Sequence, residues 1–193
     1  MKKIINYAGL FLLAGLIIAL DQWAKIQVRT LALGDTWLPA GWEWLFPYAR
    51  IVHWYNTGAA FGSFQRFGWV FTILAFIVVG LIIYYYPKVD DTEWWLKLAM
   101  GMQMGGALGN VVDRLTNNGQ VTDFISIGNF AVFNIADASI TMGVVVLLIG
   151  MWFKEMNDKK LAASLIPSEP AQPPTVSDAG IEDVGAAGEN PLE

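Results

Sequence analysis

Residues 67–86 read FGWVFTILAFIVVGLIIYYY, an unbroken run from Phe67 to Tyr86 that carries no charge and is closed by Pro87. A helix rises about 1.5 Å per residue, so a run of this length crosses a hydrocarbon layer roughly 30 Å thick. Pro87 lacks the backbone N–H that would continue the helix. The rest of the chain agrees with a membrane class. At 193 residues it has the size of one domain, and 55% hydrophobic content is too apolar for an ordinary soluble domain of that length.

Working outward, three more stretches read as spans. Residues 4–22 follow Met1-Lys2-Lys3 and resemble a signal peptide, but Asp21-Gln22-Trp23 stands where a small-x-small cleavage site would be, so the run reads as a first transmembrane helix. Residues 94–113 are apolar except at Lys97, whose long stem lets its ammonium reach the headgroups, and at the polar outer end. Residues 131–153 are interrupted only by Asp137. The fold class expected is an α-helical membrane protein of four spans. An even number of spans puts both termini on one side, and Lys2, Lys3, Lys88, Lys154, Lys159 and Lys160 mark that side as cytoplasmic. Between the first two spans lies a long outer segment with Trp37, Trp42, Trp44, Phe46 and Trp54. Such aromatics belong at a membrane interface, and the alternation over 42–52 suits strands, so a small extracytoplasmic sheet or cradle is expected there.

The net charge of −5 belongs to the end of the chain. From Asn157 onward there are two lysines and seven acids, whereas residues 1–156 balance ten against ten. Five of the eight prolines fall between Ser164 and Glu193. Residues 157–193 are therefore read as a disordered acidic tail, separate from a membrane domain at 1–156. Cysteine is absent and His53 is the only histidine, which removes thiol chemistry, disulfides and most metal sites. No cofactor is expected, and no basic patch points to nucleic acid.

What remains for chemistry is a set of polar residues where spans should be apolar. A carboxylate at membrane depth costs several kcal/mol and marks a functional site by default. Asn134 and Asp137 share a face of the fourth span at i, i+3, and Asp123 lies in the outer loop just before it. The intervening chain is long enough to fold back and bring the two carboxyl groups together, while separate pairing with Arg114 or a backbone donor would satisfy them equally. In the third span, Gly101, Gly105 and Gly109 make a smooth face for close helix packing. Asn110, Asp113 and Arg114 follow on one face, either as an ion-paired helix terminus or as the lining of a polar cleft. Asp21 and Lys25, at i, i+4, read as an ion pair anchoring the first span. If Asp123 and Asp137 meet, they cannot both ionise cheaply in a partly dehydrated site, so one keeps its proton. An acid and a base then stand together at neutral pH, as peptide hydrolysis by an aspartic mechanism requires.

The set Asp21-Gln22-x-x-Lys25, Tyr55-Asn56-x-Gly58-Ala59-Ala60-Phe61, Gly106-Ala107-Leu108-Gly109-Asn110-x-x-Asp113-Arg114, Val121-x-Asp123-Phe124 and Phe133-Asn134-Ile135-Ala136-Asp137 resembles the bacterial lipoprotein signal peptidase family, signal peptidase II. Each piece is weak alone; five in order on a four-span chain are specific. The resemblance implies an intramembrane aspartyl endopeptidase of the bacterial inner membrane. It would act near the extracytoplasmic face and cleave prolipoproteins just before the diacylglyceryl-modified cysteine. It implies Asp123 and Asp137 as the catalytic pair, Asn56, Gly58, Asn110, Arg114 and Asn134 around the substrate cleft, and Asp21, Lys25 and Asp113 in support. It further implies a cradle and lid after the first span and inhibition by globomycin-type depsipeptides; contact with membrane lipid and a monomeric state are expected beside it. The chain departs from the family at Ser126, where an Asp is common, and at Ala131-Val132, where a Pro is common. Both departures concern loop geometry rather than the carboxylates. Buried Asp, Asn and Arg also build proton-coupled transporters, and the glycine face would equally serve a non-catalytic assembly factor.

Overall fold

The computed structural model describes residues 2–58 and 68–165, and divides into units Met1–Met156 and Asn157–Glu193. Four long helices dominate: α1 (Lys2–Val28), α2 (Gly68–Tyr85), α3 (Trp94–Thr116) and α4 (Ile135–Leu165). A three-stranded antiparallel sheet, ordered β1 (Thr36–Trp37), β2 (Ala49–Asn56), β3 (Val121–Ile127), lies where α1 and α3 end and α2 and α4 begin.

Three helical stretches, Tyr7–Val28, Gly68–Lys88 and Ile135–Ser164, are long and apolar enough to cross a membrane. Their outward faces keep large apolar side chains exposed, among them Leu12, Leu81 and Leu148. Contiguous apolar surface on this scale needs a covering, and for helices of this length that covering is lipid. Helix α3 lacks the apolarity of the other three. Its environment explains this, because nine of its residues are buried and its glycines face protein.

Helix packing follows directly from residue size. On α1 a single stripe is buried, running Leu10, Ala14, Ile17, Asp21, Lys25 and Val28 at helical spacing. It changes from apolar to ionic toward the sheet. The glycines of α3 receive its neighbourhood in register: a Cβ on Gly101 would meet Leu13, on Gly105 Ala14 and Ile17, and on Gly109 Asp21. The two helices therefore run parallel and close together. The adjacent Gly106 fits α4 in the same way, with the Ala136 backbone oxygen lying where a Cβ would collide with it. The expected smooth face is thus two-sided.

Several boundaries differ from the sequence reading. Helix α1 continues past residue 22 to Val28, because Asp21 and Lys25 are internally paired and give no reason to stop. Helix α4 begins at Ile135 rather than 131, since residues before it are extended and Phe133 bridges Ile125 of β3. It runs on to Leu165, so residues 157–165, assigned by composition to the tail, are helical; the proline-rich remainder, 166–193, lies outside the described residues. Asp123 is not in a loop. It sits on β3, whose partner β2 pairs Trp54 with Asp123 and Asn56 with Val121 past an irregularity between Ile51 and Trp54. The segment 42–52 forms one short 3-10 turn, Glu43–Leu45, and the start of β2 rather than continuous strand. Ala59, Ala60 and Phe61 of the expected motif lie outside the described residues.

A paired-carboxylate site beneath the sheet

The polypeptide between Asp123 and Asp137 folds back through a turn at Gly128, which takes φ 51°, and returns with Phe133 hydrogen-bonded to Ile125 in both directions. This bridge brings Asn134 beside β3 and starts α4 there. Asn134 then acts as the helix N-cap: its side-chain Oδ1 accepts the Asp137 N–H at 2.8 Å, while an Asp137 carboxylate oxygen accepts the Asn134 N–H at 3.4 Å. The reciprocal pair is a capping box with Asp in the place usual for Glu. With its acceptor committed, the Asn134 amide can only donate on its other side, and it donates to Asp123 Oδ1 at 2.7 Å. One asparagine thus couples the two carboxyl groups.

Two further asparagines finish the shell. Asn56 accepts the Gly58 N–H at 2.9 Å in a local turn, which aims its amide donor at Asp123 Oδ2, 3.0 Å away. Asn110 donates to Asp137 Oδ1 at 2.7 Å and accepts at its own oxygen from Lys25 and Asn134. Each carboxylate therefore receives two amide donors from different elements. Asp123 is fully buried among protein, and burial together with the neighbouring Asp137 carboxylate pushes its carboxyl up to about 7 despite the two amide donors.

Both aspartates border a cavity of about 740 Å³. Asn56, Gly58, Asn110 and Arg114 border it as well, and its remaining wall is largely apolar, with Phe71, Val78 and Phe133. Arg114 forms no ion pair with either aspartate; its guanidinium lies over the Phe71 ring, 5.6 Å from the centroid. Of the separate partners that sequence left open, Arg114 pairs with neither carboxylate, whereas Asp137 does take a backbone donor, the Asn134 N–H, and Asp123 takes side-chain amides. Among the described residues no three His, Asp or Glu side chains converge as metal ligands.

Asp113 turns away from the cavity although it shares a helix with Asn110 and Arg114. It is fully buried and accepts from Gln22, Arg29, Lys25 and the Thr122 N–H, joining α1, α3 and β3 at one point. Asp21 pairs with Lys25 at 2.7 Å and accepts the Ala136 N–H, so it stabilises the exposed donors of the α4 N-terminus from a neighbouring helix. Two acids and two cations make this network neutral, which is how charge survives burial. Sequence reasoning missed Arg29 and Thr122, whose side chains meet at 2.9 Å. Arg29 was findable, since it continues the Asp21, Lys25 stripe by one more turn. Thr122 was not, because its part is a backbone N–H and a hydroxyl offered by strand geometry.

A largely helical chain with lipid-length apolar helices, a small sheet and two carboxyl groups held beside one cavity defines a membrane protein with a paired-carboxylate site. A model of the family described as signal peptidase (SPase) II matches residues 13–153. The lipoprotein signal peptidase of Shouchella clausii (strain KSM-K16) is 39% identical over 152 residues, covering 78% of this chain and 97% of its own. That of Geobacillus thermodenitrificans (strain NG80-2) is 40% identical over 148 residues, covering 74% and 89%. A bacterial membrane enzyme solved in meso at 2.3 Å resolution superposes with a TM-score of 0.70 at 28% identity, covering 78% of this chain and 91% of that one. The chain belongs to the signal peptidase II family.

Proposed function

We propose that this chain is an intramembrane aspartic endopeptidase that removes signal peptides from diacylglyceryl-modified prolipoproteins, cutting on the N-terminal side of the lipid-modified cysteine. The observation that carries the mechanism is the coupling of Asp123 and Asp137 through the Asn134 capping box at the edge of the cavity. Asp123, pushed up to about 7, is the partner that holds a proton near neutrality. It polarises the scissile carbonyl by hydrogen bonding to its oxygen. Asp137 takes a proton from water, whose oxygen attacks the carbonyl carbon, and the leaving amine is protonated as the tetrahedral intermediate collapses. The apolar cavity wall suits an extended signal-peptide segment and acyl chains, while Arg114, Asn56 and Asn110 line its polar end.

The same reading places four spans in the bacterial inner membrane with both termini cytoplasmic, the three-stranded sheet as a cradle on the outer surface, and the active site just beneath it. It takes the protein as a monomer that needs no cofactor, with globomycin-type depsipeptides filling the cavity. Asp123→Asn and Asp137→Asn are each expected to lower cleavage of a synthetic diacylglyceryl lipopeptide by the purified protein at least a thousandfold while the protein still inserts and still unfolds cooperatively. Cleavage within tenfold of the parent in either variant would remove the assignment. Ion flux in liposomes lost with the same substitutions would favour a proton-coupled transporter instead.

A further inference from the structure

Lys25 lies on α1, has no exposed side-chain surface, and is not among the residues bordering the cavity. Its ammonium has three oxygen partners: Asp21 at 2.7 Å, Asp113 at 3.3 Å and Asn110 Oδ1 at 3.2 Å. The first two are ion pairs of the scaffold. The third reaches toward the site.

An asparagine side chain has two nearly isosteric ends, one accepting and one donating, and which end faces which neighbour is decided by partners that have no choice. Lysine has no lone pair when charged, so it can only donate. The Asn134 amide is likewise committed to donating, because its oxygen already takes the Asp137 backbone N–H. Both point at Asn110 Oδ1, from 3.2 and 3.1 Å. The opposite orientation of Asn110 would set its NH2 against an ammonium and another NH2, and its carbonyl against the Asp137 carboxylate. The orientation present instead puts the Asn110 donor 2.7 Å from Asp137 Oδ1.

We propose that Lys25 is a positioning residue for this site: by holding the acceptor end of the Asn110 amide, it fixes the donor end on Asp137. The inference rests on the reading of Asp137 as catalytic. Asn134 alone would leave Asn110 with one fixed donor; Lys25 supplies the second and the only charged one. The charged groups around Asp137 are Asp123 on β3, Arg114 on α3, and Asp21 and Lys25 on α1. Of the two cations, Lys25 alone reaches it through a hydrogen-bonded side-chain amide, while Asp123 is joined to it through Asn134.

The test uses Asp21→Asn as the background, so that removing Lys25 leaves no unpaired charge at position 21. Asp113 keeps Arg29, Gln22 and the Thr122 N–H. In full-length protein in detergent, Asp21→Asn/Lys25→Met is compared with Asp21→Asn for lipopeptide cleavage. The expected result is a kcat lower by roughly tenfold to a hundredfold with KM within about threefold, because a charge-assisted hydrogen bond to the reacting carboxylate is lost and the cavity is untouched. An unchanged kcat, or a loss confined to KM, would overturn the proposal.

A second measurement does not depend on the double variant folding. In protein labelled with 15N-asparagine, the Asn110 side-chain NH2 signal, assigned by its absence in Asn110→Asp, should shift on Asp137→Asn, since its donor faces that carboxylate. An Asn110 signal indifferent to Asp137→Asn would show the amide turned the other way and end the argument. Lipopeptide cleavage by Asp137→Asn itself separates the two readings. If that variant cleaves normally, the catalytic assignment of Asp137 fails; if it is inactive while the double variant matches its background, only the role of Lys25 fails.

Discussion

At Asp123 the surroundings are at odds with ionisation: the side chain is buried, a second carboxylate lies nearby, and the relief comes first from two neutral amides and then from the charge of Lys25. With its carboxyl pushed up to about 7, the form that donates a proton is lost as pH rises through that value. We expect kcat/KM for lipopeptide cleavage to fall about tenfold per pH unit well above 7, measured on the purified protein from pH 5 to 9. A flat profile to pH 9 would mean that Asp123 is not the acid. The same shift has a consequence for stability. The folded chain holds the Asp123 proton more tightly than the unfolded chain does, so stability is greatest in acid and declines as pH rises from about 4 through about 7. At about 1.4 kcal/mol per pH unit the cost of ionising this one group reaches roughly 4 kcal/mol. Asp123→Asn removes it, so the melting temperature of this variant should gain on the parent progressively between pH 5 and pH 8. A gap independent of pH would contradict the sign.

At the level of elements, the close approach of α3 to α4 is what puts Asn110 within reach of Asp137, and Gly106 permits it. A Cβ there would collide with the backbone oxygen of Ala136 and stand 2.7 Å from Ile140, and the first of these cannot swing aside. Gly106→Ala should cost about 1–3 kcal/mol and lower the melting temperature by several degrees, with a larger loss of cleavage than of stability because the first turn of α4 must move. Gly15→Ala is the matched comparison: its Cβ meets nothing within 4 Å, so stability and cleavage should both be kept. Equal effects from the two would dismiss close packing as the reason for the glycine. The glycine spacing was legible in sequence because helical periodicity is local. That Asp123 and Asp137 share Asn134 and one cavity was not, because it depends on a single bridge, Ile125 to Phe133, between a residue that read as loop and one that read as part of the fourth span. Val121-Thr122-Asp123-Phe124-Ile125 alternates weakly, and its strand character comes from pairing with β2, which lies 65 or more residues earlier. Asp113 shows the same limit from the other side: spacing put it on a face with Asn110 and Arg114, and only the approach of α1 decides that it turns inward to Lys25 and Arg29.

For the whole molecule, the hydropathy of the chain exposes three helices and understates the fourth. Helix α3 is wrapped by protein, so it has no need of an apolar surface, and its polar content, including Gln103, Asn110 and Asp113, is tolerable for the same reason. That α3 crosses the bilayer is argued by register instead. Leu13, Ile17 and Asp21 of α1 lie against Gly101, Gly105 and Gly109 of α3, each step of four matched by four, so the two helices travel in the same direction. On α4 the contacts run the opposite way: Ala136 meets Gly106, Gly143 meets Ala99, and Gly150 meets Trp95. If α1 and α4 span the membrane, α3 spans it alongside them. The absence of cysteine makes this directly measurable, since any single cysteine introduced is the only thiol. Thr30→Cys and Thr116→Cys lie at the sheet end of the bundle, while Lys88→Cys and Asp90→Cys lie at the other, all at exposed positions. A membrane-impermeant maleimide added to intact spheroplasts should label the first two, and the last two only after lysis. Labelling of Lys88→Cys together with Thr116→Cys in intact cells, or of neither before lysis, would mean that α3 does not cross. The site would then have to be reached from the cytoplasm, where a lipid-anchored, already translocated substrate has no access to it.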